Sequence, residues 1–221
     1  MARFWAVLIH VAKGLHWGNK MKTNALKQQI LAATLPHVPF DGWTDAALHQ
    51  GLKDAGLSPT DLLRAFPEGA SDCMDFFMDE LDREMHQAYS QLYTEPMKLG
   101  EKVEAAILLR LKATRPFREA YRKALAHLSL PFNAARGAKR LYGSVDAIWR
   151  MIGDHPTDFS FYTKRLSLAG IYSTTVLFWL DDESNDEAET KAFLKRRMGD
   201  LFQFHRLKKQ CTEFFSKAKS A

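Results

Sequence analysis

TDAALHQGLKDAGLSPTDLLRAF, Thr44 to Phe66, is punctuated for two short helices with a tight turn between them. Thr44 stands just ahead of an apolar period formed by Ala47, Leu48 and Leu52, where its hydroxyl can satisfy an orphan N–H of the first turn. Gly56 stops that helix, because glycine enters the left-handed region without a Cβ penalty. Ser58-Pro59-Thr60-Asp61 opens the next one, with Pro59 in the first helical place and Asp61 where a capping box wants an acid. Leu62, Leu63 and Phe66 complete it. The size and turn predict a helix–turn–helix.

Outward from this stretch the helical period persists, and no run shows the sustained alternation of a strand. Leu26, Ile30, Ala33 and Leu35 mark a first helix that should end near Pro36 and Pro39. Further helices are expected over 72–92, over 99–114, and from Arg115-Pro116 to a stop before Pro131. Over 132–152, Leu141, Val145, Ile148 and Ile152 form one apolar stripe of a further expected helix, which Gly153 closes. Residues 158–180 are apolar on nearly every side: Tyr162, Leu166, Ala169, Val176 and Leu180 form one face, and Phe161, Leu168, Tyr172 and Trp179 another. That pattern predicts a central core helix. An acidic loop, Asp181 to Asp186, and basic amphipathic helices end the chain. The fold class is all-α, divided into a leader or upstream extension (1–21), a helix–turn–helix module (22–70), a larger helical domain (71–186) and the terminal basic helices (187–221).

The chain has 221 residues, 46% of them apolar and 26% charged, which excludes a collagen, a disordered acidic tail and a disulfide miniprotein. Cys73 and Cys211 belong to no CxxC pair, so neither a disulfide framework nor a thiolate zinc site follows. The net charge of +5 conceals blocks of alternating sign: residues 1–40 carry five bases and no acid, and residues 41–100 carry four bases and twelve acids. The helix–turn–helix falls in the acidic block. Its second helix offers Arg64 to a phosphate backbone, beside Asp54, Asp61, Glu68, Asp72 and Asp75, so a packing role is expected and nucleic acid is not.

Chemistry finds few footholds. The eight histidines are scattered, no ExxH pair offers a di-metal site, and HExxH, GxSxG and phosphate-binding glycine loops are all missing. No catalytic residue, metal or cofactor is assigned, and a non-enzyme is expected. Near the end, Phe204, Leu207, Cys211, Phe214 and Phe215 recur at helical spacing, with Lys208, Lys209, Lys217 and Lys219 on other faces. A basic amphipathic helix of this kind can lie in a headgroup layer, so Phe204, Leu207, Phe214, Phe215, Lys208 and Lys209 are the expected membrane contacts. Asp158 to Arg165 gathers Phe159, Phe161 and Tyr162 ahead of a cation pair, a usual composition for a protein contact.

PHVPFDGWTDAAL (Pro36 to Leu48) and DFSFYTKRLSLAGIYSTTVLFWLDD (Asp158 to Asp182) resemble the two signature regions of the ubiquinone-biosynthesis accessory family, the Coq-nine proteins. The resemblance implies a TetR-like fold with a degenerate N-terminal helix–turn–helix and a larger helical ligand-binding domain. It implies a lipid or isoprenoid quinone intermediate as ligand, the di-iron demethoxyubiquinone hydroxylase as partner, and a membrane surface. A homodimer is a further expectation. On this resemblance the partner contact falls on Asp158, Phe161, Tyr162 and Arg165. The protein should be cytoplasmic and peripheral on the inner membrane, or on the matrix side of the mitochondrial inner membrane in a eukaryote. Apolar candidates for the ligand's walls are Ile107, Leu108 and Leu111, Leu141, Val145 and Trp149, and Leu168, Tyr172 and Trp179. The competing expectations are a TetR-type transcriptional regulator sensing an apolar ligand, and an enzyme whose site is assembled from distant residues.

Overall fold

The computed structural model of the chain describes residues 19–153 and 160–200, with side chains from 23 to 153 and from 162 to 200. Every regular element among them is helical. The described residues form two compact units, one from residues up to 83 together with 114–140, the other from 84–113 together with 141 onward.

In the first unit, α1 (Asn19–Thr34) is followed by a one-turn helix α2 (Val38–Asp41), then α3 (Asp45–Ala55) and α4 (Pro59–Ala65). The caps read from the sequence are in place. The Thr44 side chain accepts a hydrogen bond from the Ala47 N–H, Gly56 takes φ +65°, and Ser58 and Asp61 complete a reciprocal capping box. The turn α2 was not expected, because Pro36 and Pro39 read as a chain break. Pro39 falls in its first turn, where a missing N–H removes no intrahelical bond. The turn delivers Trp43, whose indole N–H donates to the Ala120 carbonyl at 2.9 Å on α7 (Arg118–Leu128). Its ring lies 5.2 Å from Phe77, which meets Phe117 edge-on at 5.9 Å.

Helix α1 packs on α3 and α4. The approach to α3 depends on Gly51: a Cβ there would stand 2.8 Å from the backbone N and Cα of Thr34. A Gly→Ala change in a helix ordinarily gains about 0.5–1 kcal/mol. Here the sign should reverse, because the clash is with backbone that only a helix shift can relieve. Gly51→Ala is expected to lower stability by about 1–3 kcal/mol in a urea melt. An unchanged or raised midpoint would show that α1 is free to move.

Helix α5 (Ala70–Ser90) starts a little before the expected Asp72, because Gly69 at φ +67° turns the chain and the Asp45 carboxylate accepts the Ala70 N–H at 3.1 Å. Its acidic edge faces the first turns of α8 (Ala134–Met151). Arg136 reaches Asp75 at 3.0 Å and Glu68 at 3.3 Å, and Arg140 reaches Asp79 at 2.8 Å. Much of the acidic block is thus answered by bases from the next block. A 3₁₀ turn, Pro131–Asn133, replaces the first residues of the expected 132–152 helix.

In the second unit, α6 (Leu99–Thr114) lies where the sequence places it. Helix α9 (Ser160–Leu180) carries no acidic residue and is joined to α10 (188–200) by a tight acidic turn. Asp182 organises that turn. Its buried carboxylate accepts the N–H groups of Ser184 and Thr190, each at 2.8 Å, and the Thr190 hydroxyl. Burial pushes its pKa up, but the hydrogen bonds from Ser184 and Thr190 outweigh this and hold it at about 2. Asp186 and Glu187 take φ +54° and +55°, and the Phe178 and Phe193 rings stack at 4.6 Å between α9 and α10.

Candidate functional site

Helix α9 has two faces of opposite character. Arg165, Leu168, Ile171, Tyr172, Thr175, Val176 and Trp179 are buried, at spacings of three and four that keep them on one side. Tyr162, Leu166, Gly170, Thr174 and Leu177 are exposed along the other, and none is charged. Exposed uncharged surface beside a buried apolar face is the composition of a contact surface rather than of a solvated helix.

An ion pair fixes the start of α9. Arg165 is only 4% exposed, and its Nε and one terminal nitrogen reach Asp146 Oδ1 of α8 at 2.8 and 2.6 Å. The other Asp146 oxygen takes Arg150 at 2.6 Å, a side chain that is 72% exposed. One turn from the pair, Lys164 Nζ lies 5.7 Å from the centre of the Trp149 ring. The last turns of α8 and the first turns of α9 are therefore locked together. Tyr162, 69% exposed, and Leu166, 77% exposed, stand on the outer side of this lock.

The expected partner contacts thus separate by position. Tyr162 is exposed at the surface, whereas Arg165 is buried in the pair with Asp146. Phe161 belongs to the first turn of α9, its side chain outside the described set, and Asp158 lies outside the described residues. The expected membrane contacts Phe204, Leu207, Lys208, Lys209, Phe214 and Phe215 lie outside them as well, as does the leader up to residue 18.

All nine apolar wall candidates fall in the second unit. Ile107, Leu111, Val145, Trp149, Leu168, Tyr172 and Trp179 are buried, and Leu108 and Leu141 half-buried. Burial of this kind belongs to any packed core and by itself names no ligand. Trp179 is fully buried, and its indole N–H donates to Glu187 Oε1 at 2.9 Å. Sequence reasoning missed Asp146, the one acid of α8 in a helix with four bases, where a lone carboxylate beside an apolar stripe signals a buried partner. Leu166 was assigned to a core face and is exposed instead. Among the described residues no group of three or more His, Cys, Asp or Glu could hold a metal ion.

In the helix–turn–helix, α4 exposes Leu63, and Arg64 is its one basic residue. Asp61 is committed to the capping box. Lys27 of α1 is also committed, its Nζ lying 5.3 Å from the Phe66 ring centre and 5.5 Å from that of Phe76.

Residues 134–205, which include α8, the ion pair and all of α9, match the family model described as COQ9. This stretch is similar to the COQ9 family. The human ubiquinone biosynthesis protein COQ9, mitochondrial, is 33% identical over 192 residues, covering 84% of this chain and 60% of that protein. COQ9-A of Xenopus laevis is 35% identical, covering 79% and 57%, and COQ9 of Drosophila melanogaster is 32% identical, covering 86% and 59%. The chain spans about three fifths of the length of these curated relatives. Among solved structures it is similar to a TetR transcriptional regulator from Nitrosomonas europaea, with TM-score 0.62 at 17% identity, covering 78% of this chain and 95% of that one. The all-α, TetR-like fold and the resemblance to the COQ9 family are thereby shown. At this identity the structural likeness shows the fold alone.

Proposed function

We propose that this chain is a lipid-binding accessory protein of ubiquinone biosynthesis, which presents an isoprenoid quinone intermediate to the di-iron demethoxyubiquinone hydroxylase at a membrane surface. The similarity to the COQ9 proteins supports the pathway, and the partner is the one that the resemblance read from the sequence implies. The observation that carries the reading is the two-faced helix α9, apolar and buried on one side and uncharged and exposed on the other. A helper of this kind answers a physical need: each methylene of a polyprenyl tail costs roughly 0.8 kcal/mol to expose to water, so the tail travels only under apolar cover.

On this reading the wall candidates on α6, α8 and α9 shelter the prenyl chain. Tyr162, with Phe161, Leu166 and Arg150, meets the hydroxylase, and Arg165 acts through Asp146 by holding that surface in place. The basic amphipathic stretch beyond residue 200 meets anionic lipid, consistent with a peripheral protein. Among the described residues no helix is long and apolar enough to cross a membrane. The regulator reading has less support, because α4 offers one cation where phosphate neutralisation needs several.

Tyr162→Ala tests the docking surface. Capture of the purified hydroxylase should fall by about tenfold or more, the loss of one aromatic anchor. The thermal midpoint should hold nearly constant, since exposed positions contribute little to stability. Undiminished capture would remove this face from the interface. Mass spectrometry of lipids extracted from the purified chain tests the cargo.

A further inference from the structure

Arg150 and Arg165 share one carboxylate and use it differently. Arg165 is buried and places its Nε and a terminal nitrogen on Asp146 Oδ1. Arg150 meets Oδ2 through its Nε, at 2.6 Å, with 72% of its side chain exposed. Asp146 is the only partner of Arg150 among the described residues. With Nε engaged, the opposite edge of the guanidinium, which carries its two terminal nitrogens, is left for another acceptor.

Charge runs the same way. Residues 141–153 and 160–180 hold one acid, the buried Asp146, against Arg150, Lys164 and Arg165. One carboxylate between two guanidinium groups leaves an excess of positive charge, and Arg150 is the member that carries it to the surface. An exposed arginine ordinarily loses much rotamer freedom when it forms a new bond. Here the bond to Asp146, itself fixed by Arg165, has already narrowed the orientations, so the planar fork is set before anything docks. Its two parallel donors match the two oxygens of a carboxylate. Leu166 follows Arg165 in the chain, and it and Tyr162 add exposed, uncharged surface on the outer side of the same helix junction.

We infer that Arg150 is a pre-set fork for a carboxylate of a docking protein, so that this face fits a partner edge on which an acidic side chain stands beside apolar ones. This rests on the docking reading of Tyr162 above and names the group that the face selects. A partner edge with Lys or Arg at that place is rejected by like charge, so Arg150 contributes selectivity where Tyr162 contributes contact area. A lipid headgroup phosphate could meet the same nitrogens. The exposed Tyr beside the Arg favours a protein, since these two residue types dominate the anchors of protein interfaces.

The test titrates the full chain with the purified hydroxylase at low and at high salt. Arg150→Gln, uncharged and close in size, should weaken binding about tenfold, the loss of a charge-assisted bidentate pair, and should flatten the salt dependence while the thermal midpoint holds. Arg150→Lys restores the charge without the fork and should recover only part of that loss. Exchanging the exposed Asp and Glu residues of the hydroxylase for Asn and Gln, one at a time, should find one that is not additive with Arg150→Gln, the two changes together costing little more than either alone. Unchanged affinity in Arg150→Gln, full recovery by Lys, or additive losses with every acid of the hydroxylase would overturn the fork. So would a loss of flotation with phosphatidylcholine–phosphatidylglycerol vesicles at undiminished hydroxylase affinity, because the edge would then hold a phosphate. Tyr162→Ala keeps the two failures apart. If it weakens binding and Arg150→Gln does not, the docking face stands and the fork falls; if the parent chain has no affinity for the hydroxylase, both fall.

Discussion

Asp146→Ala is expected to destabilise the chain by about 3–5 kcal/mol, because it takes from the buried Arg165 guanidinium the carboxylate that meets two of its nitrogens. For a chain of this size that corresponds to a fall in thermal midpoint of ~10 °C. Arg150→Ala removes the other partner of Asp146, and its effect should stay within about 1 kcal/mol, since that side chain is largely in solvent. The contrast separates a buried pair from a surface one sharing the same carboxylate. Replacing both buried partners, as Asp146→Leu with Arg165→Met, should recover most of the lost stability, because no charge is then left unpaired. That double variant also isolates the positioning role. If it folds yet binds the hydroxylase poorly, the pair acts by placing Tyr162 and Leu166. If capture is normal, the pair serves stability alone. A loss below 1 kcal/mol for Asp146→Ala would mean that water reaches Arg165 after all.

The helix–turn–helix was legible because its signals are local. Thr44, Gly56, and Ser58 with Asp61 each act on backbone groups within a few residues, so their types and spacing suffice. The same holds for α6, whose ends fall where the sequence sets them. The short helix α2 escaped because proline reads as a breaker unless its place within the first turn is known. The candidate site was legible in its apolar members and opaque in its polar ones. Apolar period announces that Leu168, Tyr172 and Trp179 share a side, but not that the Asp146 carboxylate finds Arg165 rather than water. That pairing joins α8 to α9 across the chain, and no spacing rule within one helix contains it. Leu166 was misassigned for a related reason: on a helix apolar all round, the period alone does not say which face a neighbour covers.

The acidic character of the helix–turn–helix likewise takes its full meaning from contacts. A surplus of acid on a module of this shape already opposes phosphate binding. The structure adds that Lys27, a base of α1, lies over Phe66 and Phe76, and that Asp45 caps the start of α5 through the Ala70 N–H. Charged groups near the turn are drawn into holding the module together.

Trp179→Ala is expected to cost about 3–5 kcal/mol or more, making it one of the most damaging single changes available in the second unit. The side chain is among the largest that are fully buried, and deleting it leaves a void that the surrounding helices close only in part. It also takes away the donor that Glu187 accepts at 2.9 Å, and Glu187 stands at φ +55° in the turn between α9 and α10. Packing and polar contributions can be told apart with a second variant. Trp179→Phe keeps most of the ring volume and deletes the N–H, so its loss, about 1–3 kcal/mol, reports the hydrogen bond and the acceptor left behind. The difference between the two variants reports the cavity. Hydrogen exchange locates the damage: in Trp179→Phe, protection should weaken first at Ser184 and Thr190, whose N–H groups are held by Asp182 in the same turn. Trp179→Phe as stable as the parent, with that turn fully protected, would show that the Glu187 bond is incidental and that the indole matters only for the space it fills.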